Sequence, residues 1–174
     1  MDSVSVSQQP TTMQCIGAGV KRTIGMAMPV YGGYTNGNTM DKLSSSVEQL
    51  DSFKKGDVHS VREESGVVSK TVKGTLKSAL YSIPVIGTAM LGKAKNELKQ
   101  AQADVEAIKN GETPTESKKT GFFKNLGTGL VEKVKYLLPG YGTYYLGKQV
   151  KEIDNLAKDV DACTTYEFAP DAEA

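Results

Sequence analysis

Residues 74–108, GTLKSALYSIPVIGTAMLGKAKNELKQAQADVEAI, and residues 129–163, GLVEKVKYLLPGYGTYYLGKQVKEIDNLAKDVDAC, are one segment written twice, 55 residues apart. Without a gap, 12 of the 35 positions are identical, among them Gly74/Gly129, Tyr81/Tyr136, Pro84/Pro139, Gly87/Gly142, Thr88/Thr143, Leu91/Leu146 and Gly92/Gly147. Average composition would give roughly two such identities. The matches gather on turn-forming residues, which marks an internal duplication rather than a shared bias of composition.

Each copy has an amphipathic lead, the run Y-x-x-P-x-x-G-T-x-x-L-G-K, and a long helix. Proline has no amide hydrogen and disfavours helical geometry in the residue before it, so the chain should bend at Pro84 and Pro139. After the bend, Leu91, Ala94, Leu98, Ala101, Val105 and Ile108 recur every three or four residues, a seam for helix packing. The second copy offers Leu146, Gln149, Ile153, Leu156, Val160 and Cys163 at the same places. A thiol standing where the first copy has Ile108 is best read as a small hydrophobe. The expectation is an all-α fold in which two Pro/Gly-bent helical hairpins pack as a small bundle.

Working outward, the chain divides into an arm (1–40), amphipathic helices (41–73), repeat 1 (74–110), a linker (111–128), repeat 2 (129–165) and an acidic tail (166–174). Residues 23–40, TIGMAMPVYGGYTNGNTM, carry no charge, yet Gly, Pro, Asn and Thr interrupt them as in loops. They predict a Gly-rich extended arm, flexible or ordered by a partner. Asp41 should cap a helix running to Lys55, with Gly56 ending it. A further amphipathic stretch, with Val68, Val72, Leu76 and Leu80 spaced by four, covers about 66–82.

The net charge of +1 conceals an uneven spread, because 152–174 hold seven acids against Lys158 alone. The positive charge elsewhere is nearly all Lys, with Arg only at 22 and 62. Lysine acts as a point charge, whereas reading bases favours the planar fork of arginine, so sequence-specific nucleic-acid binding is not expected. Cys15 and Cys163 have no CxxC or Cys/His spacing and read as free thiols. The first ten residues lack a basic and then apolar signal pattern, and no run approaches the roughly 20 apolar residues of a spanning helix. A cytoplasmic or virion-associated location is the corresponding expectation.

Catalytic constellations are scarce. Gly87–Lys93 and Gly142–Lys148 echo the phosphate loop G-x-x-x-x-G-K, but Ala94 and Gln149 follow where a magnesium-binding Ser or Thr belongs. With His59 the only histidine, in the polar run DVHSVREE, no histidine-cluster metal site can form. No nucleophile and base pair with a local signature, so no enzyme, cofactor, metal or small-molecule substrate is expected.

What remains is amphipathic. Residues 78–92 and 136–147 are uncharged, with lysines on both flanks. Tyr81, Tyr136, Tyr141, Tyr144 and Tyr145 lie at their edges, where amphipathic rings favour interfaces. Such runs fit either buried turns of a bundle or interfacial segments with snorkelling lysines. The short P-x-x-G-T segments, Pro84–Thr88 and Pro139–Thr143, resemble segments of membrane-active and virus-borne structural proteins, and on those positions alone they define no family. The reading is a non-enzymatic structural or assembly protein, such as a minor virion component. It would dock to a protein partner or to itself through the seam (Leu91, Leu98, Val105, Ile108, Leu146, Ile153, Leu156, Val160), the apolar turns (Tyr81, Pro84, Gly87, Tyr136, Pro139, Gly142, Tyr144, Tyr145) and the arm. The alternative is a membrane-surface or membrane-penetrating protein that uses the two Lys-flanked turns.

Overall fold

Proline at the first helical position and glycine just past the end divide the chain into helices that alternate short and long. The computed structural model describes residues 8–56, 65–114 and 120–164. They form six α-helices: α1 (Thr12–Met26), α2 (Pro29–Lys54), α3 (Val67–Tyr81), α4 (Pro84–Lys109), α5 (Phe122–Leu137) and α6 (Tyr141–Thr164). Among the described residues there is no strand, and the fold is a small all-α bundle. Pro29 and Pro84 open α2 and α4, where a missing amide hydrogen costs nothing. Gly56, Gly111 and Gly140 have φ of +85°, +72° and +71°, the left-handed geometry that lets the chain leave a helix or turn into one. His59 and the acidic tail 166–174 lie outside the described residues.

Three hairpins, not two, build the bundle. Sliding the sequence back a further 55 residues sets Gly19, Pro29, Val30, Gly32, Gly37 and Leu43 on their identical counterparts Gly74, Pro84, Val85, Gly87, Gly92 and Leu98. Residues 12–40, expected as an extended arm, are α1 and the first half of α2. Propensity lost to packing here. The glycines that speak against a helix in isolation are where the backbones meet. A Cβ on Gly19 would fall on the Thr143 carbonyl of α6, and one on Gly37 on the Lys70 carbonyl of α3. The hydroxyls of Thr23 and Thr39 donate to the carbonyls of Gly19 and Thr35 one turn back, each at 2.9 Å, which keeps them out of competition with the helix. Thr11 and Gln14 form a capping box that starts α1.

Asp41 does not begin a helix, since α2 is already three turns old at that point. Its carboxylate instead accepts the backbone amide and hydroxyl of Ser65, at 3.2 and 2.9 Å, and so secures the entry to α3.

The long helices α2, α4 and α6 form an inner layer, and α1, α3 and α5 an outer one. Positions 55 residues apart meet around the inner axis: Leu43, Leu98 and Ile153, then Leu50, Val105 and Val160, then Phe53, Ile108 and Cys163 all belong to one apolar cluster. Each outer helix packs against a long helix of another hairpin, α3 on α2, α5 on α4 and α1 on α6. The last of these pairings closes the ring. Polar contacts repeat the same cycle: Lys54 pairs with Asp104 at 2.6 Å, and its counterpart Lys109 with Asp159 at 3.3 Å. At the third place Gln49 donates to the hydroxyl of Thr164 at 2.7 Å, a neutral stand-in for the ion pair.

Candidate interaction surface

Outer and inner helices meet through a small-residue seam. Gly92 lies on the Asn125 carbonyl, Gly129 on that of Thr88, and Gly147 on that of Cys15, with no room for a side chain at any of the three. Close approach of this kind uses the inward face of an outer helix without burying large apolar side chains. The apolar residues of α1, α3 and α5 are therefore left facing out.

Val20 and Ile24 on α1, Val68, Val72 and Leu76 on α3, and Phe123, Leu130, Val131 and Val134 on α5 are all exposed, at 42–85 % between them once Leu80 is included. The hairpin tips extend these stripes, with Met26 and Met28 at the first, Ile83, Val85 and Ile86 at the second, and Leu137, Leu138 and Tyr141 at the third. Charge is divided as sharply. The three outer helices hold eight Lys and Arg against one acid, Glu132, and that acid is buried. The inner helices hold nine bases against ten acids. Lys21, Lys73 and Lys124 are exposed beside the stripes.

The seam residues singled out in the sequence are turned inward. Leu98, Val105, Ile108, Leu156 and Val160 are buried in the core and Ile153 packs against it, while Leu91 and Leu146 are half-buried nearer the tips. The turn residues separate. Pro84 and Pro139 are exposed, Tyr81, Tyr136 and Tyr144 half-buried, and Gly87, Gly142 and Tyr145 buried. Both G-x-x-x-x-G-K runs lie inside α4 and α6, where the amides of Gly87 and Gly142 are bonded to the carbonyls of Ile83 and Leu138. Those amides are committed to the backbone and form no cradle for phosphate.

The buried Glu132 accepts from Lys135 at 2.8 Å and from the Tyr145 hydroxyl, while the Lys135 ammonium stands 5.0 Å from the Tyr145 ring. Burial works to raise the Glu132 pKa, but the hydrogen bonds from Lys135 and Tyr145 outweigh it and hold the carboxyl below its usual range. Burial and the Glu132 carboxylate push the Tyr145 phenol well up, and burial raises Tyr81 to about 12. Burial also raises the Cys163 thiol, in keeping with its place in the core. Among the described residues no group of three or more His, Cys, Asp or Glu is arranged to hold a metal, and no helix is long and apolar enough to cross a membrane.

Sequence reasoning missed the outer stripe of α1 and the first tip, at Met26–Pro29. The signal for both is the 55-residue shift carried past Gly74 to Gly19. The fold and surface define the class: a ring of three helical hairpins with a basic, apolar rind. No family model, curated protein or solved structure matches the chain.

Proposed function

We propose that this is an interaction protein without chemistry of its own, which binds the surface of an anionic lipid bilayer through its outer layer and hairpin tips. The observation that carries the reading is the pairing of exposed apolar side chains with near-exclusive positive charge on α1, α3 and α5. Large apolar side chains exposed along three helices and their tips mark a place of contact. Amphipathic helices with lysine flanks suit the headgroup boundary, where each surface-near base adds about 1 kcal/mol toward an anionic leaflet. Insertion is shallow in this reading, with the tips reaching the acyl boundary and the charge-balanced inner helices kept in water.

The second reading is an assembly subunit, such as a minor virion component, that docks to protein through the same faces. Three equivalent apolar stripes around a ring favour it, since each could seat a neighbouring copy. Vesicle flotation separates the two. On the membrane reading the protein floats with phosphatidylserine vesicles and much less with phosphatidylcholine. A Leu76→Asp/Val131→Asp variant, altered at exposed positions, stays folded and stays below. Wild type that remains below with both vesicles overturns the membrane reading, and concentration-dependent oligomers lost in the same variant would then support assembly.

A further inference from the structure

One groove departs from the threefold pattern. It lies between α1, α2 and α6, has a volume of about 520 Å³, and is lined by Lys21, Arg22, Lys42 and Lys151, with Tyr34 and Asn38 among the polar side chains beside them. The only acid on its walls, Asp154, is already paired with Lys42 at 2.5 Å. Arg22 forms no ion pair among the described residues. Its Nη2 donates to the Asn36 amide oxygen, while the buried Nε has no partner. Burial lowers its pKa to about 10, with Tyr31, Asp154 and Tyr136 opposing that shift. A half-buried guanidinium with an unbonded Nε is a costly arrangement that an anion would relieve.

The repeat does not require these cations. The counterparts of Lys21 are Leu76 and Val131, those of Lys42 are Glu97 and Glu152, and those of Lys151 are Asn96 and Asp41. Those of Arg22 are Lys77 and Glu132, so only one of the four bases has a basic counterpart and neither other junction gathers four.

We infer that the groove between α1, α2 and α6 binds a phosphate-bearing anion, held by Arg22, Lys21 and Lys151. The planar fork of arginine suits two phosphate oxygens at once, and the flanking lysines add point charge. A soluble phosphate ester and a phospholipid headgroup present the same chemistry to these residues. The groove shares Lys21 and Arg22 with the basic outer layer, but it takes its anion between three helices rather than through the apolar stripes.

The test is thermal unfolding in about 10 mM inorganic phosphate against chloride at matched ionic strength. Phosphate is expected to raise Tm by roughly 3 °C or more. A Lys21→Gln/Lys151→Gln variant, altered on the groove wall, should keep its Tm in chloride and lose most of the phosphate shift. Arg22→Met should melt no lower than wild type in chloride, since a half-bonded charge is removed, and should show no phosphate shift. Equal Tm in phosphate and chloride for wild type overturns the inference, as does a shift that survives undiminished in the double variant, which would mean an adventitious ion only. The source is read from vesicles of phosphatidic acid and phosphatidylserine at equal surface charge. A preference for phosphatidic acid that the double variant loses assigns the site to a headgroup. Equal binding to both vesicles with the phosphate shift intact assigns it to a soluble ester. Loss of all vesicle binding with the phosphate shift intact would sink the outer-face reading and leave the groove standing.

Discussion

The inner helices α2, α4 and α6 and the outer helices α1, α3 and α5 come from the same repeated segment, yet they solve opposite problems. Inner positions bury Leu50, Leu98 and Val160 at 2 % exposure or less and balance acids against bases, so their side chains are used up within the bundle. Outer helices attach by glycines, which require almost no large side chain, and their Val, Leu, Ile and Phe remain on the surface. An amphipathic helix normally turns its apolar face to the core. Here the outer helices turn a glycine face to the core, and that inversion is what points to a partner surface. A helix can be firmly packed and still keep its apolar stripe free.

The comparison breaks most severely at the glycine seam. Gly92→Val or Gly147→Val drives a branched side chain into the backbone of Asn125 or Cys15. Each should cost more than about 4 kcal/mol, seen as a lost or collapsed denaturant transition. Next comes the inner ring of polar pairs. Asp104→Ala takes from Lys54, whose side chain is only 13 % exposed, its closest ion pair and leaves it Asp51 at 3.8 Å, so it should cost about 2 kcal/mol. Lys54→Met added to it should recover part of that loss, which a urea titration of both variants would show.

Acid sharpens the same point at Glu132. Its carboxyl titrates below the unfolded value of about 4.3, so its contribution is complete above that pH and is lost as pH falls through the lower, folded value. Denaturant midpoints measured between about pH 5 and pH 2 should fall less steeply for Glu132→Gln than for wild type. Among the outer helices, Gly127 on α5 has open space around it, and Gly127→Ala should raise stability by about 0.5–1 kcal/mol in a thermal melt. Smallest of all, Leu76→Asp on the exposed stripe of α3 should alter stability by less than about 0.5 kcal/mol. The pairing of a lethal valine at Gly92, where α4 meets α5, with a beneficial alanine at Gly127 on α5 would separate the packed seam from the open face directly.

Much of the fold was legible where the repeat kept its punctuation. Tyr81 and Tyr136, Pro84 and Pro139, and the G-T-x-x-L-G-K runs mark the second and third hairpins plainly. The first hairpin has Met26 for the tyrosine, Asn36 for the leucine and Asn38 for the lysine, so of its glycine and proline punctuation only Gly19, Pro29, Gly32 and Gly37 survive to signal it. Those residues are helix-weakening in isolation, and only their tertiary contacts explain a helix. The inward seam was readable from its 3–4 spacing. The outward stripes were not, because spacing alone does not say which face of an outer helix glycine will claim. Arg22 carried no local signal either, since its missing partner is a matter of three helices meeting.

The central claim is that residues 12–40 belong to a third hairpin, α1 and α2, closed onto α6 through Gly19 and Gly147. Backbone hydrogen exchange of the intact chain tests it most directly. Amides around Gly19 and Gly37 should be protected to a degree comparable with those around Gly74, Gly92, Gly129 and Gly147. Exchange of 12–40 at the rate of an open chain, with α3–α6 still protected, would contradict the ring and return that segment to an arm.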